Sequence, residues 1–138
     1  RLRPNINRAG IPAIALAQDT STITACGNDF GFDQLYERMV QTLGNEGDIL
    51  VALSTSGNSE NIIRAMKQAR RSGIKVFGFL GAGGGMALDL CDEKFVVPSD
   101  NTARSQEIHI TAGHALMEYV EDCLLNEGFL QLQDRSME

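Results

Sequence analysis

Short apolar runs alternate with segments of helical periodicity along this chain, and that alternation restricts its fold more than any other feature. Four runs, 13–17, 48–53, 74–80 and 94–97, are predicted to form buried strands. Between and after them the sequence predicts helices over 19–26, 33–43, 59–73 and 103–127. Strands that alternate with helices build βαβ units. We therefore expect an α/β fold: a three-layer sandwich with a parallel sheet flanked by helices.

Composition limits the classes of function. The chain has 138 residues, a formal net charge of -6 and no basic run. Nucleic acid is therefore not an expected partner, because neutralising its phosphates takes clustered Lys and Arg. No apolar run has the length of a membrane helix. The three cysteines show no Cys-x-x-Cys spacing, and such a set of cysteines is typical of a protein in a reducing compartment. We expect a cytoplasmic protein with one domain over 1–128 and a polar tail over 129–138.

The loop Ser54-Thr55-Ser56-Gly57-Asn58-Ser59, called the serine loop below, follows the second predicted strand and precedes a helix. At a helix start the backbone N–H groups lack partners, and the helix dipole favours negative charge. A single capping serine would indicate only an ordinary turn. Four hydroxyl side chains at the carboxyl end of a parallel strand instead predict a phosphate site. No Lys follows, so the loop does not match the GxxxxGK[ST] motif of nucleotide-binding proteins.

A second loop, Gly81-Ala82-Gly83-Gly84-Gly85, is called the glycine loop below. It does not match a dinucleotide-binding motif, because counting from Gly81 gives Gly-x-Gly-x-x-Met. No acidic residue stands at a suitable place on the following strand. We interpret this segment as a flexible connection at a strand end.

Several stretches resemble one family. The serine loop, with its strand and helix, is similar to that of the sugar isomerase (SIS) family of phosphosugar-binding proteins, whose fold is flavodoxin-like. Gly27-Asn28-Asp29-Phe30-Gly31-Phe32, Gly47-Asp48-Ile49-Leu50 and Ser105-Gln106-Glu107-Ile108-His109 further resemble the bacterial phosphoheptose isomerases. The resemblance covers about Arg1 to Asn126.

The resemblance implies a homotetrameric enzyme, often with zinc, whose sites lie at subunit interfaces. Such an enzyme interconverts sedoheptulose 7-phosphate and D-glycero-D-manno-heptose 7-phosphate for lipopolysaccharide heptose synthesis. The residues that would bind the phosphate end of the substrate are Ser54, Thr55, Ser56 and Ser59. Asn28 and Asp29 would bind substrate hydroxyls. Gln106 and His114 would be metal or catalytic residues, with Gln106 also touching substrate and His114 as the acid/base.

The implied reaction suits an imidazole. Moving a carbonyl to the neighbouring carbon takes a proton from one carbon and returns it to the other through an enediol. This calls for a base that titrates near neutral pH, and the unperturbed imidazole is closest to it. A bound zinc would polarise the carbonyl and stabilise the enediolate oxygens.

This chain departs from the family at two places. The family carries a strand, a Gly-Asn-Gly-Gly-Ser-like loop and a helix ahead of the point that matches Arg1, with a catalytic carboxylate and a metal-binding histidine. The chain therefore holds at most half of such a site, and we expect it to be inactive if it is truly truncated. Ala103 stands where some members have Asp, which removes one polar contact.

The last predicted helix is apolar around most of its girth. A narrow polar stripe interrupts it, formed by Glu107, Thr111, Glu118 and Asp122. A helix of this kind is buried on more than one side, so the sequence also favours an oligomer.

The same helix carries both histidines of the chain. Gln106 and His114 are eight residues apart, roughly 12 Å along a helix axis, so spacing favours His109 as the partner of Gln106. The resemblance favours His114, because the flanking motif fixes how this helix aligns with the family. On the residues alone, a His114 that merely borders the polar stripe stays an alternative.

Two other functions stay open. One is a non-catalytic SIS module, such as the relative that binds the bacterial replication initiator. That relative lacks the histidine matching His114, so His114 favours an enzyme. The other is a sugar-phosphate-sensing domain, but such domains usually accompany a DNA-binding segment, and none is visible in this sequence.

Overall fold

The computed structural model describes residues 7–16 and 18–132. The helices within these ranges are α1 (Thr20–Phe30), α2 (Leu35–Leu43), α3 (Glu60–Arg71) and α4 (Thr102–Asn126). The strands are β1 (Ile49–Ser54), β2 (Lys75–Leu80) and β3 (Glu93–Val96). Two 3-10 segments, Phe32–Gln34 and Ala82–Leu90, connect these elements, and non-helical glycines break the second one at 83–85.

The strands form a parallel sheet in the order β1-β2-β3. The register pairs Ser54 with Leu80 and Leu80 with Val96, so all three strands end at the same edge. This confirms the predicted α/β class with a parallel sheet. It also brings the serine loop and the glycine loop to one edge of the sheet, since each follows a neighbouring strand.

Helix α3 covers β1 and β2, and α2 packs against α3. The inner face of α3 carries Ile63, Met66 and Ala69, which repeat every three residues and are all buried. Burial of a side chain the size of Ile or Met contributes about 1.5–3 kcal/mol. Glu60 in the first turn of α3 and Arg70 and Arg71 in the last suit the helix dipole. These contacts fix the start of α3 next to the end of β1.

The predicted strand over 13–17 is wrong where the structure describes it. Residues 11–15 have no regular secondary structure, residue 16 lies in a turn, and residue 17 lies outside the described residues. Ile14 is 70% exposed, whereas Leu16 packs against the core. A strand needs a neighbour to satisfy its backbone N–H and C=O groups. No ladder partner for this run occurs in the described part of the chain.

The other predicted elements lie within a few residues of their expected bounds. The largest difference is α1, which continues to Phe30 instead of ending near residue 26. It ends at Gly31, whose φ of 87° places it among the left-handed conformations that favour glycine. The predicted polar tail over 129–138 lies largely outside the described residues, as does the start of the chain over 1–6.

The described residues divide into two compact units, 15–107 and 7–14 with 108–132. In the second unit Arg8 donates from Nε to the carboxylate of Glu121, whose side chain is only 3% exposed. Arg8 also forms an antiparallel backbone bridge with Leu132. The single domain over 1–128 stays a prediction. None of the helices described is both long and apolar enough to cross a membrane.

Candidate functional site

The serine loop begins with the last residue of β1 and ends where α3 begins. The amide of Gly81 donates to the carbonyl oxygen of Ser54 at 3.2 Å, so the glycine loop starts directly beside the serine loop. The start of α3 is adjacent in sequence to four hydroxyl side chains. This arrangement collects the parts of an anion site at the carboxyl edge of the sheet.

Two hydroxyl oxygens of the loop accept hydrogen bonds from its own backbone. The amide of Gly57 donates to Ser54 Oγ at 3.0 Å, and the amide of Asn58 donates to Ser56 Oγ at 3.1 Å. Each hydroxyl therefore keeps its own proton for a further bond. Ser54 is 6% exposed and donates to Ser59 Oγ at 3.4 Å. Ser56 is exposed, so its proton can point to a ligand.

Ser59 stands at the N-cap position of α3, as predicted, but its side chain makes no capping hydrogen bond. Its Oγ accepts instead from Ser54. A serine at this position usually satisfies one of the first amides of the helix. Since Ser59 does not, the amide of Glu60 remains available to a ligand at the serine loop, whereas the amide of Ile62 donates to Asn61 Oδ1 at 2.9 Å.

The first cation along α3 is engaged elsewhere. Arg64 Nε donates to Glu37 at 2.7 Å, and Arg64 Nη1 lies 3.9 Å from Glu60. The hydrogen bond to Glu37 raises the pKa of Arg64 further above its ordinary value. An anion at the serine loop would therefore be held by neutral hydroxyl and amide donors and by the dipole of α3.

The glycine loop packs directly on the serine loop, a contact that the sequence did not predict. The flexibility expected of this segment stays a prediction. The amide of Ala87 donates to the carbonyl oxygen of Gly57 at 2.9 Å, and the amide of Met86 donates to Asn58 Oδ1 at 2.9 Å. A Cβ atom on Gly57 would lie 1.9 Å from the carbonyl oxygen of Gly84, and its φ is 64°. Only glycine fits at position 57.

The other predicted site residues lie apart from this loop in sequence and are exposed. Asn28 and Asp29 are near the end of α1, where Asn28 Nδ2 donates to Asp29 Oδ1 at 2.8 Å. Gln106 and His114 both lie on α4. Across the ranges described, no hydrogen bond joins any of these four side chains to the serine loop. Within the serine loop, by contrast, Ser54 donates to Ser59 Oγ, and the side chains of Ser54 and Ser56 both accept backbone amides.

The two histidines differ in exposure. His109, which helical spacing favoured as the partner of Gln106, is 5% exposed. His114, which the resemblance favoured, is exposed. The structure separates the two histidines by exposure alone, and the assignment of the acid/base to His114 stays a prediction.

The residues that the structure describes do not by themselves form a zinc site. Within the described ranges no three His, Cys, Asp or Glu side chains are grouped so that they could hold a metal ion. Gln106 and His114 together offer one amide oxygen and one imidazole nitrogen, whereas protein zinc sites use three or four ligands. Zinc stays a prediction, and no step below depends on it.

Comparison with known proteins defines the class. Residues 3–81 match the family model of the SIS domain, which is more than half of the chain. The chain therefore belongs to the SIS-domain family, in agreement with its parallel sheet and serine loop.

Individual relatives within the SIS-domain family are similar to this chain over most of its length. The chain is 53% identical over 131 residues to a phosphoheptose isomerase of Nitratidesulfovibrio vulgaris, a match that covers 95% of this chain and 62% of the relative. A phosphoheptose isomerase of Nitratiruptor is 50% identical over 115 residues, covering 83% of this chain and 62% of the relative. The chain thus spans about three fifths of the length of these curated relatives.

Solved structures agree with the sequence matches. A phosphoheptose isomerase from Neisseria gonorrhoeae has a TM-score of 0.78 and 42% identity, with 80% of this chain and 61% of that chain covered. The enzyme from Francisella tularensis has a TM-score of 0.78 and 44% identity, with 80% of this chain and 60% of that chain covered.

Proposed function

We propose that the protein is a phosphosugar aldose-ketose isomerase that interconverts sedoheptulose 7-phosphate and D-glycero-D-manno-heptose 7-phosphate. The relatives named phosphoheptose isomerase support this assignment, at 50% identity and above. The observation that carries the phosphate part of it is the serine loop. Its exposed Ser56 hydroxyl has a proton to donate, and the opening amides of α3 are not capped by Ser59.

In this proposal the serine loop holds the phosphate end of the sugar and leaves the carbonyl end free to react. Ser56, Ser59 and Thr55 donate to phosphate oxygens, while the buried Ser54 shapes the loop through the amide of Gly57. Asn28 and Asp29 bind sugar hydroxyls. Such a division suits an isomerase, because binding energy from the phosphate can orient the carbons that exchange a proton.

His114 is the proposed acid/base. It takes a proton from the carbon next to the carbonyl and returns it to the former carbonyl carbon, while the hydroxyl proton of the first carbon passes to the former carbonyl oxygen. The intermediate is therefore an enediol, and no atom is gained or lost. Its exposure on α4 supports this role. Gln106 is proposed to contact the substrate or a metal. A zinc ion, with further ligands from outside the described residues, would polarise the carbonyl.

Solvent exchange tests the function. In a full-length polypeptide, His114→Ala should lower turnover of sedoheptulose 7-phosphate by about 10²-fold or more, the usual scale for losing a general acid/base, with nearly unchanged phosphate affinity. Incorporation of deuterium from deuterated water at the reacting carbons reads the enediol step directly.

His109→Ala is the matched control. Because His109 is buried, its loss should lower the midpoint of thermal unfolding while the folded molecules keep most of their turnover. Full deuterium exchange in the His114 variant would refute the assignment of the acid/base. Tight binding of the sugar phosphate with no exchange in the full-length parent would instead favour the non-catalytic SIS module.

The proposal includes a cytoplasmic homo-oligomer, in the family's form a tetramer. Large apolar side chains on α4 support the association, since Ile110, Met117 and Tyr119 are at least 50% exposed. Apolar surface of this kind is typical of contacts with another subunit.

A further inference from the structure

We propose that Asn58 is a positioning residue that joins the serine loop to the glycine loop, so that affinity for a phosphate depends on both loops. This inference rests on the proposed phosphate site and adds a residue that touches no ligand. The sequence alone predicted neither a role for Asn58 nor a contact between the two loops.

Asn58 makes hydrogen bonds within its own serine loop and to Met86, the residue that directly follows the glycine loop. Its Oδ1 accepts the amide of Met86 at 2.9 Å, and its Nδ2 donates to the carbonyl oxygen of Ser56 at 3.1 Å. Its own amide donates to Ser56 Oγ at 3.1 Å. Both polar groups of Ser56 that accept hydrogen bonds are therefore held by Asn58, which leaves the Ser56 proton as the free donor.

The backbones of the two loops are complementary around this side chain. A Cβ atom on Gly85 would lie 2.6 Å from Asn58 Oδ1, and one on Gly57 would lie 1.9 Å from the carbonyl oxygen of Gly84. The amide of Ala87 donates to Gly57 O at 2.9 Å next to the Met86 bond. The contacts leave no room for a side chain between the loops, so a shift of one loop must displace the other.

The proposal predicts that alanine at position 58 has an effect that alanine at position 45 does not have. Asn58→Ala removes the bonds to Met86 and to the Ser56 carbonyl, so the Ser56 hydroxyl loses its fixed position. Asn45→Ala is the matched control, because Asn45 Nδ2 donates to the carbonyl oxygen of Leu43 at 3.1 Å, the same local bond that Asn58 makes to Ser56, but outside both loops. Asn58→Asp keeps an oxygen that can accept from Met86 and serves as the conservative variant.

The experiment combines amide hydrogen exchange with titration of the chain by inorganic phosphate, followed by ¹H–¹⁵N shifts of the serine loop. In Asn58→Ala, exchange at Met86 should accelerate by roughly tenfold or more, and phosphate affinity should fall by roughly tenfold, the scale of one lost bond in a charged site. Asn45→Ala should change neither quantity. Asn58→Asp should restore slow exchange at Met86, which a merely smaller side chain would not do.

Unchanged Met86 exchange in Asn58→Ala, or equal effects of Asn58→Ala and Asn45→Ala, would overturn the proposal. Faster exchange with unchanged phosphate affinity would overturn the positioning role as well. If the parent chain binds no phosphate at all, the proposed phosphate site fails, and the exchange rates still decide whether Asn58 joins the loops.

Discussion

Ser54 and Ser56 have the same side chain but lie in different surroundings, which gives them different roles. Ser54 is buried and accepts the amide of Gly57, so it holds the loop in shape. Ser56 is exposed and keeps a proton for a ligand. The sequence predicted that these hydroxyls cluster, because they are adjacent. It could not predict which of them is buried, since that depends on how the glycine loop covers the strand end.

Ser56→Ala should weaken sugar-phosphate binding by about 1–3 kcal/mol, as expected for a donor lost from a charged ligand. Isothermal titration calorimetry with sedoheptulose 7-phosphate measures this. Ser72→Ala is the control, because Ser72 Oγ lies at the end of α3 and accepts from Gln68. Equal affinity of the Ser56 variant and the parent would remove Ser56 from the site.

The sequence did not predict that Arg8 and Glu121 form a buried ion pair. Glu121 lies on a helix whose periodicity indicated an apolar surface, and no local pattern marks it as buried. A buried carboxylate needs a partner, and the partner here is 113 residues away in sequence. Only the folded chain brings the two together.

At the scale of elements, helices and strands with local patterns were predictable and the run over 13–17 was not. Helix α3 depends on a three-residue repeat and on packing against adjacent strands, both of which are readable from neighbouring residues. A strand depends on pairing with another segment of any sequence distance. The run 13–16 has the composition of a strand but no ladder partner among the residues described, so composition alone gave the wrong element.

Asp92 extends the pairing of β2 just before β3 begins. Its carboxylate accepts the amide of Val76 at 2.8 Å and lies 3.3 Å from Lys75 Nζ. The bond from Val76 is the main cause that lowers the pKa of Asp92 below its ordinary value, with a smaller contribution from Lys75. Because the folded pKa lies below the unfolded one, this carboxylate stabilises the fold above the unfolded pKa, and the stabilisation is lost as the pH falls through the folded pKa.

Asp92→Asn should therefore lower the thermal midpoint at pH 7, and the difference from the parent should shrink as the pH falls below the ordinary Asp pKa of about 3.9. Circular dichroism melts over this pH range measure the trend. Asp100→Asn removes the same charge from an exposed bend and should show a smaller dependence. A deficit in the Asp92 variant that stays constant or grows in acid would contradict the account.

At the scale of the whole molecule, α4 carries large apolar side chains that the described residues leave exposed. Ile110 is 62% exposed, Met117 50% and Tyr119 68%. The sequence predicted a helix that is apolar on more than one side, and these exposures agree with it. Periodicity could not predict what packs against these side chains. Contact with a second subunit and contact with a further part of the same protein require the same apolar pattern.

Met117→Glu should dissociate the proposed oligomer, since a charge would be buried at the contact without a partner. Light scattering at several concentrations measures the mass of the parent and of the variant. Glu118→Gln, at the neighbouring exposed position, should leave the mass unchanged. A monomeric parent chain would contradict the association, and an unfolded Met117 variant would show that Met117 contributes to the core.

The central claim is that the serine loop binds the phosphate of a phosphosugar, and a chemical-shift titration of the chain tests it most directly. Sedoheptulose 7-phosphate should shift the amide signals of residues 55–60, inorganic phosphate should shift the same signals more weakly, and unphosphorylated sedoheptulose should leave them in place. The pattern follows from neutral donors and a helix start that recognise the anion first. Shifts confined to residues outside 54–61 and 81–87, or equal shifts from the sugar without its phosphate, would contradict the account.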